Sequence, residues 1–177
     1  LLLWRSLTQW FGGMGIIMLG MMILSRVIGG GMALARAELT GPSLSRLRPK
    51  LKQTAFALWT LYIILTFAEF VLLFGTGSMD LFDSINHSLT TLPTGGFSTH
   101  DASIGYYDSV LVEMIVVVFM FIAGVNFTLL WMFWEGDSKK ALRDEEFRYY
   151  TIYIIVIVLA VAGALIGSGT SVGKALR

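Results

Sequence analysis

The chain has 177 residues, of which 55% are hydrophobic and 14% charged. A soluble domain carries about 25% charge, so this chain has too little to clothe a core of its own, and too much apolar sequence to be disordered. Thirteen Lys and Arg against 12 Asp and Glu leave a net charge of +1, which points to no nucleic acid, and the lack of cysteine excludes disulfide scaffolds, Cys-ligated zinc and iron–sulfur clusters.

Taken in chain order, four apolar runs predict helices that cross a membrane. The first, residues 7–24, holds 18 residues without a charge. It is longer than the 7–15 apolar residues of a signal peptide. The chain opens on Leu1 within apolar sequence, so it is expected to be an internal piece of a longer protein. Residues 25–53 follow, with Gly29-Gly30-Gly31, a short helical patch near Met32–Leu39, a turn at Gly41-Pro42 and a basic cluster of Arg46, Arg48, Lys50 and Lys52. That cluster reads as a topology signal rather than a lipid-binding site. The second run, 54–74, carries one acid, Glu69; the third, 109–134, carries one acid, Glu113; the fourth, 149–169, carries none. About 20 apolar residues cross the ~30 Å hydrocarbon core as a helix. Trp and Tyr lie mostly near the run ends, where amphipathic rings favour the interface.

Orientation follows from the basic residues. The three segments between runs hold six, zero and four Lys and Arg: six in 25–53, none in 75–108, four in 135–148. The first and third segments therefore lie in the cytoplasm and 75–108 outside. The predicted fold is an all-α membrane protein.

The segment 75–108 carries the chemistry. Apolar positions 81, 82, 85, 89 and 92 predict a helix over 81–92, capped by Ser78 or Asp80 and ended by Pro93. Twelve residues make a helix of ~18 Å, half a membrane, which reads as a re-entrant segment between two full spans. Next comes Pro93-Thr94-Gly95-Gly96-Phe97-Ser98. Adjacent glycines allow backbone angles closed to other residues, so consecutive carbonyls can turn toward one line. A row of carbonyls replaces the hydration shell of a monovalent cation, and the negative end of the short helix points to the same place.

Three stretches resemble the Trk/Ktr/HKT potassium transporter superfamily, and within it the bacterial TrkH/TrkG branch. They are Leu7-Thr8-Gln9-Trp10-Phe11-Gly12-Gly13-Met14-Gly15-Ile16, then Gln53-Thr54-Ala55, and above all Thr94-Gly95-Gly96-Phe97-Ser98-Thr99-His100-Asp101-Ala102-Ser103-Ile104-Gly105-Tyr106. The resemblance covers nearly the whole chain. It implies four span–pore helix–span (M1-P-M2) repeats around one pore, of which this chain holds part. On that reading residues 1–24 close a preceding repeat, and 25–53 form a cytoplasmic basic linker. Residues 54–134 make one complete repeat, with a span at 54–74, a pore helix at 81–92, a filter at 93–98 and a span at 109–134. Residues 135–148 form a cytoplasmic loop and 149–177 open the next repeat. The family's filter glycine maps to Gly96, and the carbonyls of Thr94, Gly95, Gly96 and Phe97 are the implied potassium ligands. Pro93 departs from the small residue expected there. The family's gating loop is expected beyond Arg177.

The implied function is potassium uptake across a bacterial inner membrane by a multi-pass protein, with potassium as cargo, no cofactor and no enzymatic activity. The implied partners are the remaining repeats, a second copy in a homodimer, a cytosolic nucleotide-binding regulatory subunit and membrane lipid. The runner-up is a non-conducting helical subunit that only packs against a membrane partner. Glu69 and Glu113 lie about five residues inside the outer ends of their spans, within reach of snorkelling or of a donor from the pore region. Asn126, near Gly124, is expected to hydrogen-bond between helices, and Gly12, Gly13, Gly15 and Gly20 to permit close packing. His87 and His100, 13 residues apart and without cysteine, do not form a transition-metal site. Ser98, His100 and Asp101 stand too close in sequence for triad geometry and lack a Gly-x-Ser-x-Gly elbow.

Overall fold

The computed structural model describes residues 1–13, 47–134 and 136–169, and these are helical with no strand among them. The expected features of residues 14–46 lie outside the described residues: the rest of the first span, Gly15 and Gly20, the glycine triplet, the helical patch, the Gly41-Pro42 turn and Arg46. So do residues 170–177 of the last segment.

Helix α1 covers residues 2–13. Helix α2, Leu47–Gly75, begins seven residues before the apolar run at Thr54. Hydropathy marks only the part suited to lipid, here Phe56–Gly75, and is blind to a helix that continues through charged sequence. Helix α3, Leu81–Thr91, is 11 residues long, about 16 Å at 1.5 Å per residue. The Asp80 carboxylate caps it by accepting from Asp83 N–H at 2.7 Å. A single 3-10 turn, Ser103–Tyr107, leads to α4, Val110–Gly124.

The third apolar run is not one helix. It breaks at Val125 and Asn126, and α5 resumes at Phe127–Trp134. Val125 has extended backbone, and its N–H turns back to the Ile122 carbonyl at 3.1 Å. The Phe121 carbonyl, which that N–H would meet in a continuous helix, instead accepts from the Tyr150 hydroxyl at 3.1 Å. Gly124 makes this possible, since a Cβ there would overlap the Tyr150 hydroxyl. Asn126 Nδ2 donates to both Glu146 carboxylate oxygens, at 3.3 and 3.2 Å, so it does bridge two helices. Apolar composition hid the break because lipid-facing and broken segments are equally hydrophobic.

The segment expected as a loop at 135–148 contains α6, Ser138–Arg143, and the start of α7, Glu145–Gly167. Asp144 caps α7 by accepting from Glu146 N–H at 2.9 Å. Like α2, α7 is long and apolar enough to cross a membrane.

Packing places α2 and α4 antiparallel. Leu73 clusters with Met79, Val112 and Val116 near the α2–α3 connection, while Tyr62 clusters with Leu92, Phe119 and Ala123 farther from it. Leu92, at the end of α3, thus seats the short helix between the two long ones. Helix α1 joins through Trp10, whose ring lies 5.3 Å from Tyr62 and 6.4 Å from Trp59. Its indole N–H donates to Thr66 Oγ1 at 3.0 Å, and Tyr62 Oη donates to the Trp10 carbonyl at 3.2 Å. The outward faces of α4 and α7 are apolar, with Met114, Val117, Ile155 and Leu159 all about half exposed or more. Such a face is suited to lipid or to further helices.

Candidate functional site: the short helix and its glycine loop

Helix α3 is amphipathic in the opposite sense to a helix of a soluble protein. Asp83, Ser84, Asn86, His87, Ser88, Thr90 and Thr91 are buried, while Leu81 and Phe82 are exposed. Of the apolar positions that predict the helix, Leu81 and Phe82 face outward, Ile85 and Leu89 are half-buried, and Leu92 alone enters the core. The polar face grips the chain that returns past it.

The turn after α3 is a Schellman cap. Thr94 N–H donates to the Thr91 carbonyl at 2.9 Å and Gly95 N–H to the Thr90 carbonyl at 2.8 Å. Thr94 takes the position usually held by glycine and has φ 55°, in the left-handed region that a β-branched residue rarely enters. Gly96 is left-handed too, φ 68°, whereas Gly95 and Phe97 are not. The alternating sign of φ keeps these residues out of a strand, which would point successive carbonyls alternately to opposite sides. Among the described residues nothing donates to the carbonyls of Thr94, Gly95 or Gly96. The Phe97 carbonyl accepts from Thr90 Oγ1 at 2.9 Å, which engages one of its two lone pairs.

Beyond Phe97 the strand is tied to the first turns of α3. Asp83 collects three donors: Thr99 Oγ1 at 2.7 Å, Tyr107 Oη at 2.6 Å and His100 Nε2 at 2.9 Å. Burial raises the Asp83 carboxyl, and the hydrogen bonds from Thr99, Tyr107 and His100 more than offset this, so it sits below its ordinary value. His87 Nδ1 donates to the Asp83 carbonyl at 2.8 Å, which leaves Nε2 to accept from Ser98 Oγ at 3.1 Å. Burial lowers the His87 imidazole, in keeping with this neutral tautomer. Ser98 Oγ in turn accepts from His100 N–H at 3.1 Å. Ser98 therefore faces His87 while His100 faces Asp83 and stacks on Tyr106 at 3.7 Å. The Ser98–His100–Asp101 hydrolase arrangement is not assembled.

Helix α1 lines the other side of the loop. Arg5, Gln9 and Gly13, spaced four apart on one helix face, follow it from Ser98 back to Pro93. The Arg5 guanidinium donates to the Ser98 carbonyl at 2.9 Å and lies 4.6 Å above the centre of the Phe97 ring. Gln9 packs so closely on Gly95 that a Cβ there would come within 2.7 Å of Nε2. A Cβ on Gly13 would come within 2.6 Å of Pro93 Cβ. Pro93, the one departure from the expected pattern, is thus the residue against which Gly13 is fitted. Ser6 completes the seam, donating to Asn86 Oδ1 at 2.7 Å. Sequence reading assigned no role to Arg5 or Gln9; the four-residue spacing of Arg5, Gln9 and Gly13 beside an apolar run was the available signal.

Glu69 does not snorkel. It is fully buried on α2, and among the described residues neither carboxylate oxygen receives a hydrogen bond. The Thr91 hydroxyl beside it donates to the His87 carbonyl at 2.9 Å instead. Glu113, in the first turn of α4, is half buried.

The fold and loop define a class: helical membrane proteins in which a half-length helix and the glycine loop after it are held between longer apolar helices. Residues 1–168 match the family described as "TrkH: Cation transport protein", and the chain belongs to that family. It is 47% identical over 152 residues to the Trk system potassium uptake protein TrkH of Escherichia coli (strain K12), across 85% of this chain and 31% of that protein. Against the protein of the same name from Vibrio parahaemolyticus it is 44% identical over 170 residues, across 94% and 35%. The crystal structure of the potassium transporter TrkH from Vibrio parahaemolyticus superposes with a TM-score of 0.77 at 39% identity, covering 99% of this chain and 35% of that one. The chain thus spans about a third of the relatives it matches.

Proposed function

We propose that residues 54–134 form one pore repeat of a potassium uptake protein of the bacterial inner membrane. In this reading α3 is the re-entrant pore helix. The carbonyls of Thr94, Gly95, Gly96 and Phe97 are its contribution to the selectivity filter. The observation that carries it is the alternation of backbone handedness from Thr94 to Phe97, with the first three carbonyls accepting from no donor among the described residues. Such a row replaces water around a dehydrated potassium ion, and the membrane potential, worth ~2.3 kcal/mol per charge per 100 mV, drives the ion inward. Residues 1–24 and 149–177 belong to the neighbouring repeats, which complete the pore. By their family, a homodimer and a cytosolic nucleotide-binding regulatory subunit are the partners, and the cytoplasmic segments 25–53 and 135–148 are their docking surfaces.

Rubidium uptake tests this, using the full-length protein in cells that lack their own potassium uptake. A Cβ on Gly96 meets nothing within 4 Å, so Gly96→Ser is accommodated in space but strained in backbone, by ~1–2 kcal/mol for a left-handed residue. At matched membrane abundance the variant is expected to lose at least about tenfold in uptake, or to admit sodium, since 1.4 kcal/mol corresponds to tenfold. Unchanged uptake and selectivity would leave the packing subunit as the better reading.

A further inference from the structure

We infer that Arg5, which belongs to the helix preceding the repeat, is a positioning residue that fixes the outer end of the filter and thereby its discrimination between potassium and sodium. The inference rests on the reading that ions pass residues 94–97. Three observations meet at this side chain. Its terminal nitrogen holds the Ser98 carbonyl at 2.9 Å. Its plane covers the Phe97 ring at 4.6 Å. Its Nε is buried and, among the described residues, has no hydrogen-bond partner.

The consequence concerns where the carbonyl row stops. The Phe97 carbonyl is drawn toward α3 by Thr90, and the next, that of Ser98, is drawn toward α1 by Arg5. Thr90 and Arg5 therefore clamp adjacent peptide groups from opposite sides, the last carbonyl of the row at Phe97 and the one beyond it at Ser98. With Arg5 gone, the Ser98 carbonyl loses its donor, and the outer end of the row is held from the α3 side alone, by Thr90 on Phe97 and by the side-chain bonds of Ser98 and Thr99. A softer row can close around a smaller ion, so discrimination by size falls. The positive charge of Arg5 acts differently, repelling every cation alike and changing apparent affinity rather than selectivity. Lys keeps that charge but not the planar fork or the stacking on Phe97.

The test measures rubidium uptake by the full-length protein, with sodium and potassium as competitors, for Arg5→Lys, Arg5→Gln and Phe97→Leu. Gly96→Ser serves as the reference for filter damage. Maximal uptake is normalised to protein in the membrane. Both Arg5 variants are expected to lose about tenfold in potassium-over-sodium discrimination, the loss of a single charge-assisted contact, with maximal uptake changed by less than about twofold. Phe97→Leu, which removes only the ring beneath the guanidinium, is expected to lose less. Wild-type discrimination in both Arg5 variants overturns the inference. So does full recovery by Lys, which would leave charge alone as the cause. So does a fall in maximal uptake with discrimination intact, which marks a merely structural residue. If an Arg5 variant does not reach the membrane, Phe97→Leu decides, its wild-type discrimination counting against the inference. If Gly96→Ser also discriminates normally, it is the filter reading that fails, and the role of Arg5 fails with it.

Discussion

Gly13→Ala is expected to reduce rubidium uptake to below about one tenth of wild type while the protein still reaches the membrane. The added methyl would sit 2.6 Å from Pro93 Cβ, 3.0 Å from Pro93 Cα and 3.2 Å from Tyr62 Oη. Two of these atoms cannot swing away, because the proline ring and backbone carry the first residue of the loop. Overpacking of this kind costs ~1–3 kcal/mol, and relief comes by pushing Pro93, and with it Thr94 and Gly95, away from α1. Because 1.4 kcal/mol is tenfold, even a modest part of that cost appearing as filter displacement suffices. Gly12→Ala, one position earlier on the same helix, is the internal control: its Cβ meets nothing within 4 Å and alanine favours the helix. Uptake and membrane abundance of the two variants check the argument. Equal effects at both positions, or no effect at Gly13, would mean that the contact with Pro93 does not govern the loop.

Asp83→Ala is expected to release the outer strand. The carboxylate accepts from Thr99, Tyr107 and His100, and hydrogen bonds to a charged group contribute ~1.5–3 kcal/mol each without adding in full, so a loss of about 3 kcal/mol is expected. Amide exchange across residues 97–107 should then quicken by about a hundredfold, reported by mass spectrometry on the full-length protein. The dependence on pH has a definite sign. The folded-state carboxyl lies below its ordinary value of 3.8, so the fold favours the ionised form. Its contribution is complete above that ordinary value and is lost as pH falls through the lower folded-state value. The difference between wild type and Asp83→Ala should therefore shrink as pH falls below about 4. A difference that persists undiminished below the folded-state value would contradict the arrangement.

The sequence read clearly where one physical rule acts alone. Hydropathy located the long apolar elements, and Pro93 with the acid at position 80 bounded the short helix, because a missing N–H and a capping carboxylate are local facts. The glycine loop was legible for the same reason. Two outcomes needed knowledge of neighbours. The spacing of Leu81, Phe82, Ile85 and Leu89 marks a helix face but not which way it turns. In water that face would be the core, whereas here Asp83, His87 and Thr90 form the buried side. The break at Val125 was invisible because no proline or charge announces it. It is stabilised from outside the segment by the Tyr150 hydroxyl and by the space at Gly124. Arg5 and Gln9 were overlooked because their partners lie about 90 residues away in sequence, and only the fold brings α1 alongside the loop.

In the proposed filter the carbonyls from Thr94 to Phe97 face a dehydrated monovalent cation. Anomalous diffraction from crystals of the full-length protein grown in rubidium tests it most directly. Peaks are expected on the pore axis at the level of Gly95 and Gly96, in direct contact with these carbonyls, and they should vanish when sodium replaces rubidium. Rubidium bound elsewhere in the pore, with the Thr94–Phe97 carbonyls turned away or bonded only to water, would contradict the account.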